Sequence, residues 1–211
     1  ENLGAYQGHG NVAHPHGILI TWATITEGGV QVNAAGERFW NEAQGYSEAA
    51  RAVLSQPDSE AYAIFDGRIA AIARQFEDFK RAEAQGAIKS AATLEDLALA
   101  LGLPARTLCK TITDIPLDST DRFGRTFGKS VLSPPFCGVR VTGALFHTQG
   151  GLRVDTSARV ISKDGSSIPN LYAGGGAACG VSGSADSGYL SGNGLLAAAV
   201  LGRIAGSGTF S

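Results

Sequence analysis

The 211-residue sequence has no methionine, only three cysteines, and no block of five or more Lys and Arg. Cys109, Cys137 and Cys179 are odd in number and widely spaced, which argues against a disulfide framework or a zinc site and for reduced, buried thiols. With 17 Lys+Arg against 19 Asp+Glu, nothing is set aside to neutralise a phosphate backbone or an anionic membrane surface, so nucleic acid is not an expected partner. The longest apolar run, Leu195 to Leu201, falls far short of the ~20 residues that cross a bilayer. No basic-then-apolar leader opens the chain, and a soluble, cytoplasmic protein is expected. GxSxG, GxxxxGK[ST], HExxH and CxxC are all missing, which removes the nucleophile elbow, the phosphate loop and the common zinc motifs. His14 and His16 lack a third ligand nearby, so no metal is expected. With no methionine and a start at Glu1 inside patterned sequence, the chain reads as a piece of a longer protein.

What is present suits a real core: 44% hydrophobic residues against 17% charged. Residues 1–20 hold three of the four histidines among glycines and read as a loop leading into a strand or short helix. The stretch 29–39 alternates around an Ala-Gly turn as a hairpin does. A helix is expected over 47–56, a strand over 61–66, and one amphipathic helix over 67–84 from the spacing of Ile69, Ile72, Ala73, Phe76 and Phe79. Thr93 followed by Asp96 predicts a capped helix through Leu101 closed by Gly102, and Pro104 starts another toward Ile112. Beyond Pro134-Pro135 come a strand, FCGVRVTGALFHT, a hairpin turning near Asp155 to Ser157, and a short strand over 170–173. The Ala- and Leu-rich segment 194–204 predicts a helix buried nearly all round. There is no internal repeat.

Glycine, 29 residues in all, crowds into Gly143 to Gly208. The segment LYAGGGAACGVSG, then GYLSGNGLLAAAVLGRIAG, places a strand end and a helix start among glycines, where backbone approaches a ligand and free N–H groups favour an anion. The formal GxGxxxG at Gly174 to Gly180 runs into VSGSADSG instead of opening a helix, so by itself it is a weak dinucleotide fingerprint.

Five motifs in order carry a resemblance: GERFWNE (36–42), IFD (64–66), FHTQGGLRVDTSARV (146–160), IPNLYAGGGAACGVSG (168–183) and GNGLLAAAVLGRIAG (192–206). Together they resemble the fumarate reductase and succinate dehydrogenase flavoprotein family, which includes the 3-ketosteroid dehydrogenases. The resemblance covers nearly the whole chain but only the later part of such a protein. It implies an α+β capping domain plus the C-terminal part of an α/β, Rossmann-like FAD-binding domain. The implied boundaries are 1–24 for the edge of the FAD domain and a substrate loop, 25–143 for the cap, and 144–211 for the C-terminal FAD segment. FAD is the implied cofactor, and the implied partners are a small molecule with an activated C–C bond and the remaining N-terminal part of the FAD domain.

Site residues follow from the same resemblance. Gly174, Gly175, Gly176, Gly192, Asn193, Gly194 and Leu195 are expected against FAD, although Gly176 stands where the family usually has a glutamate that bonds the ribityl hydroxyls. His147 matches a histidine that binds a substrate carboxylate. His9 and Thr21 fall where a second substrate histidine and a threonine are expected. Tyr46 stands where fumarate reductases carry a proton-delivering arginine, and Tyr189 replaces the other substrate arginine, so fumarate reduction is not expected. Tyr189 and Ser191 in GYLSG are similar instead to the 4-ene-3-oxosteroid dehydrogenases, where a tyrosine hydroxyl handles the proton. Trp22 replaces a glutamate and makes the pocket more apolar. The catalytic set is then Tyr189, Tyr46 and His147, with His9, Thr21, Trp22 and Ser191 binding substrate. Each tyrosine also reads as an amphipathic residue bonded to backbone, each histidine as a satisfied core imidazole, and Arg38 with Glu42 as an ion pair that holds a hairpin. The rival reading of the whole is a folded fragment without flavin or activity.

Overall fold

Where a loop is expected near the N-terminus, the computed structural model has an eight-residue strand, β1 (Tyr6–Ala13). No alternation of apolar residues announces it, because the strand is buried on both faces with polar side chains satisfied inside. Asn11 is fully buried and donates to the carbonyl of Ile20 (3.1 Å) and to Thr24 Oγ1 (3.0 Å). Gly10 lies so close to the next layer that a Cβ on it would stand 2.3 Å from the carbonyl carbon of Ala49.

The structure describes residues 1–208 and falls into two compact units, His9–Ala144 and Glu1–Gly8 together with Leu145 onward. After β1 come β2 (Ile18–Leu19), α1 (Ala23–Thr26), β3 (Val30–Val32), α2 (Tyr46–Leu54), β4 (Glu60–Asp66), α3 (Gly67–Ala73), α4 (Glu77–Ala84), β5 (Ile88–Ala91), α5 (Leu94–Leu101), α6 (Ala105–Thr113), β6 (Ser119–Thr120), β7 (Thr126–Phe127) and β8 (Phe136–Thr148). A six-stranded sheet results, in the order β2-β1-β8-β4-β3 with β5 also on β8, and its pairs β1–β2, β3–β4, β4–β8 and β5–β8 are antiparallel. β4 runs from Glu60 opposite Thr142 to Asp66 opposite Phe136. Its side chains alternate between two cores: Ala61, Ala63 and Phe65 pack with Ile69 and Phe79, while Ile64 packs with Leu97, Leu108 and Phe127. Helices α3 and α4 therefore cover one face and α5 and α6 the other.

Three expectations need correction here. The hairpin over 29–39 is reduced to a turn, with Gly36 N–H bonded to the carbonyl of Asn33 and Asn33 N–H to that of Glu37, and one bridge from Val32 to Arg38; β3 pairs chiefly with β4. The single helix over 67–84 is two, because Phe76 is extended and half-exposed and supplies no core contact to carry the helix across. Glu77 and Asp78 open the second helix, where negative charge meets the positive end of the dipole. Pro104 flanks α6 as its cap and is not its first residue. The Thr93 cap and the left-handed Gly102 frame α5 as expected, with Thr93 Oγ1 accepting the Asp96 N–H at 3.1 Å.

The second unit holds β9 (Arg159–Ile161), antiparallel to β10 (Ser167–Tyr172), and α7 (Asn193–Gly208). Residues from the N-terminus clasp it: the α-amino group bonds the Gly151 carbonyl (2.7 Å), Asn2 bonds the Ser182 carbonyl (2.9 Å), and Gln149 N–H bonds the Ala5 carbonyl (2.9 Å). Its core is small, Val160, Ala173 and Ala178 with Leu201 against them. The expectation that α7 is buried nearly all round is therefore wrong: only Asn193 is buried, and Leu195 is 82% exposed. Composition reports what a helix can bury, and this core reaches a single stripe of it. Cys137 is buried, but Cys109 and Cys179 are only half-buried. No helix among the described residues is long and apolar enough to cross a membrane.

Candidate active site

In the unit His9–Ala144, the local folding of three separate segments brings His9, Trp22 and Tyr46 together. His9 lies on β1, Trp22 enters α1, and Tyr46 begins α2, which the chain reaches through Gly45 at φ +128°. The His9 ring stacks on Tyr46, centroids 5.0 Å apart, and meets the edge of Trp22 at 5.8 Å. His9 Nδ1 accepts the Asn11 N–H at 3.2 Å. Burial pushes the imidazole pKa down to about 4, so it is neutral near pH 7. Thr21 is committed to the entry of α1, its Oγ1 accepting the Ala23 N–H (3.4 Å) and its carbonyl accepting from Thr24 Oγ1 (2.9 Å).

Sequence reasoning missed the layer behind this group. Trp40 donates from Nε1 to Gln31 Oε1 (3.0 Å), and Gln31 Nε2 donates to the carbonyl of Gly10 (2.7 Å), which ties β3 to β1. The Arg38–Glu42 pair is part of a larger buried ion network. Arg38 Nε reaches Glu42 Oε1 at 2.9 Å and also pairs with Asp121, while Arg125 reaches Glu42 Oε2 at 3.2 Å. Asp121 lies 83 residues from Arg38, beyond any local pattern.

The second unit gathers His147, Gly176 and Gly194. His147 sits near the end of β8, and its Nε2 lies 3.6 Å from where a Cβ on Gly176 would stand and 4.0 Å from where one on Gly194 would stand. Gly192, at φ +82°, has nothing within 4 Å of such a position, so backbone around the start of α7 is approachable. Gly174 and Gly175 face the body of α7 instead, at Leu201 and Ala198, where glycine allows the close packing of helix on turn. Asn193 is buried, and its amide bonds Val181, Ser182 and Gln149; Leu195 projects from the first turn. Tyr189, half-buried, and Ser191, exposed, flank Leu190, whose N–H is held by Ser182 Oγ at 3.0 Å, in the loop that leads into α7. Gln149 and Ser182 were not singled out from the sequence, although Gln149 stands inside the FHTQGGL motif.

The start of α7 among open glycines, with an imidazole beside it, offers free N–H groups to a negatively charged edge. The sequence profile of the FAD binding domain matches residues 5–195. The chain belongs to the FAD-binding domain family. Among its relatives, a Shewanella frigidimarina protein named "Probable fumarate reductase Ifc3" is 31% identical over 205 residues, 95% of this chain and 34% of that protein. The NADH:acrylate oxidoreductase of Vibrio harveyi is 36% identical over 203 residues, 90% of this chain and 19% of that protein. The open conformation of a flavocytochrome c3 fumarate reductase superposes with a TM-score of 0.72 at 29% identity, over 97% of this chain and 36% of that one. Ketosteroid dehydrogenases are among the relatives as well. The chain thus spans about a third or less of the length of the proteins it matches. The family's cofactor is FAD.

Proposed function

We propose that the chain is the cap, 25–143, together with the C-terminal FAD segment, 144–211, of an oxidoreductase acting on a C–C bond activated by a carbonyl or carboxylate. The observation that carries this is the placement of His147 beside the open backbone of Gly176 and Gly194 at the start of α7. The residues fit a flavin: Gly176, Gly192, Gly194 and the first-turn N–H of Leu195 offer approachable backbone, and a 16-residue helix brings its positive end to them. Flavin, when bound, exchanges hydride with one carbon of the substrate at its N5.

The protein's own groups do the rest. The α7 start favours negative charge on an oxygen edge placed against it. His147 donates a hydrogen bond to the activating oxygen of the substrate, and Tyr189, in the same unit, exchanges the proton at the other carbon. His9, neutral by burial, binds through hydrogen bonding and not through charge. Trp22 and Tyr46 surround it with aromatic surface. A neutral imidazole, and tyrosines where fumarate reductases carry arginines, favour an enone-like substrate over a dicarboxylate. Ser191, exposed in the loop that leads into α7, adds a hydroxyl to the substrate contacts of His147.

In the flavin-loaded protein, His147→Ala should raise KM at least tenfold for an oxygen-activated alkene with flavin content unchanged; an unchanged KM removes the assignment. A second reading, that the 211 residues alone hold no flavin, is favoured by the exposed apolar face of α7 and the short span of relatives covered. The visible absorbance of the purified chain after incubation with FAD and gel filtration decides it: yellow protein supports retention, colourless protein the inert fragment.

A further inference from the structure

The polarity of a buried side-chain relay is set by one group that has no choice. The backbone N–H of Val181 can only donate, and it meets Asn193 at 3.0 Å, so the atom facing it is the amide oxygen, Oδ1. Asn193 Nδ2 must then point the other way, toward Ser182 Oγ (3.0 Å) and Gln149. Ser182 Oγ already accepts the Leu190 N–H at 3.0 Å, which keeps it in place. The Gln149 atom that faces Asn193 must accept, so it is Oε1, and Gln149 Nε2 is left to donate to His147 Nδ1 at 2.8 Å. A ring nitrogen that accepts carries no proton, and in the neutral imidazole the proton sits on Nε2. Nε2 is the nitrogen beside Gly176 and Gly194. Asn193 and Gln149 are 1% and 3% exposed, so water does not compete for these bonds.

The geometry points to Gln149 as a positioning residue that fixes His147 in the Nε2–H tautomer, so that the side chain offers a hydrogen-bond donor at the start of α7 and never an acceptor. The ligand class follows: a carbonyl or carboxylate oxygen is recognised there, and a ligand presenting only an N–H or O–H is refused. Use of this donor on substrate rests on the proposed function above, but the tautomer does not. Because the fixed N–H is the N–H of Val181, the donor is tied to the same loop and helix start that present the open glycines.

The test is the imidazole 15N–1H correlation spectrum of the 15N-labelled 211-residue chain, recorded well above the titration range of free imidazole. The spectrum of His147→Asn assigns the signals of His147 among the four histidines. The wild type should show a pyridine-type Nδ1 and a protonated Nε2. In Gln149→Met, which keeps length and apolar stem but can neither donate nor accept usefully, the Nε2–H excess should fall by roughly tenfold. In Gln149→Glu, where Asn193 still donates to one oxygen, the other accepts from the ring and the preference should invert to Nδ1–H. A protonated Nδ1 in the wild type, or a ratio unmoved in both variants, overturns the relay. The wild-type and Gln149→Glu spectra decide the matter even if Gln149→Met does not fold. In the flavin-loaded protein, Gln149→Met should raise KM with kcat and flavin content little changed. The predicted tautomer together with an unaltered KM in His147→Ala leaves the relay standing and removes the substrate role.

Discussion

Burial leaves His9 5% exposed, with Tyr46 stacked on its face, and a proton there must be accommodated without water. Its pKa falls from 6.5 in the unfolded chain to about 4 in the fold. Between those values the unfolded state binds more protons, so stability rises with pH through the window and is flat above it. The loss on acidification from pH 6.5 to 4 is on the order of 3 kcal/mol from this one side chain. Urea midpoints measured across that range should decline less steeply in His9→Gln than in the wild type; parallel curves would show that the imidazole is more hydrated than its packing implies. The same residue shows the limits of sequence at this scale. A histidine in YQGH reads equally as a satisfied core imidazole or a substrate ligand, and the packing of α1 and α2 around it makes it a dry, neutral ring. Gln149 was invisible for a related reason: its importance lies in bonds to residues 2 and 44 positions away, and nothing about a glutamine announces them.

Elements were legible where their signals were local. β4 carries its alternation within seven residues, and Thr93 with Gly102 brackets α5 within ten. β1 was not, since its burial depends on Gln31, Thr24 and Ala49 from three other elements, whose contacts a period-two pattern cannot show. The break between α3 and α4 leaves no mark in the sequence because Phe76 fits the helical spacing, although the fold leaves it half-exposed. Glycine in β1 is there for proximity: an added methyl on Gly10 meets backbone of Ala49 at 2.3 Å, which no rotamer relieves. Gly10→Ala should cost ~3 kcal/mol or more by denaturant unfolding. Gly128→Ala, whose methyl meets nothing within 4 Å, should be neutral or stabilising by up to about 1 kcal/mol. Equal effects at the two positions would mean that the layers of the sheet and α2 separate more easily than their packing indicates.

Over the whole molecule, apolar surface is distributed unevenly. Val181, Leu190, Leu195, Leu196 and Val200 are all exposed in the unit that carries α7, whose core is far smaller than those around β4. Such surface attracts other apolar surface. The 211-residue chain should bind a hydrophobic dye and scatter light increasingly with concentration, and Leu195→Glu with Leu196→Gln should reduce both by half or more with the far-ultraviolet spectrum unchanged. Dye binding that is low, or unaltered by the pair of substitutions, would place the adhesive surface elsewhere. The general family was legible from the order of five motifs, four of which carry glycine. The exposure of α7 was not, because it depends on the size of the core beneath it.

The division of the chain also orders events in time. Residues 9–144 form a unit uninterrupted in sequence, and it can fold as soon as the last of them leaves the ribosome. The other unit must wait for both of its ends. Its first residues find their partners only across separations of 150 and 180 positions, at Gly151 and Ser182. Such a closure is slow and comes late. In refolding experiments, probes placed in the unit that joins residues 1–8 to the segment beyond Leu145 should therefore lag behind probes placed in 9–144.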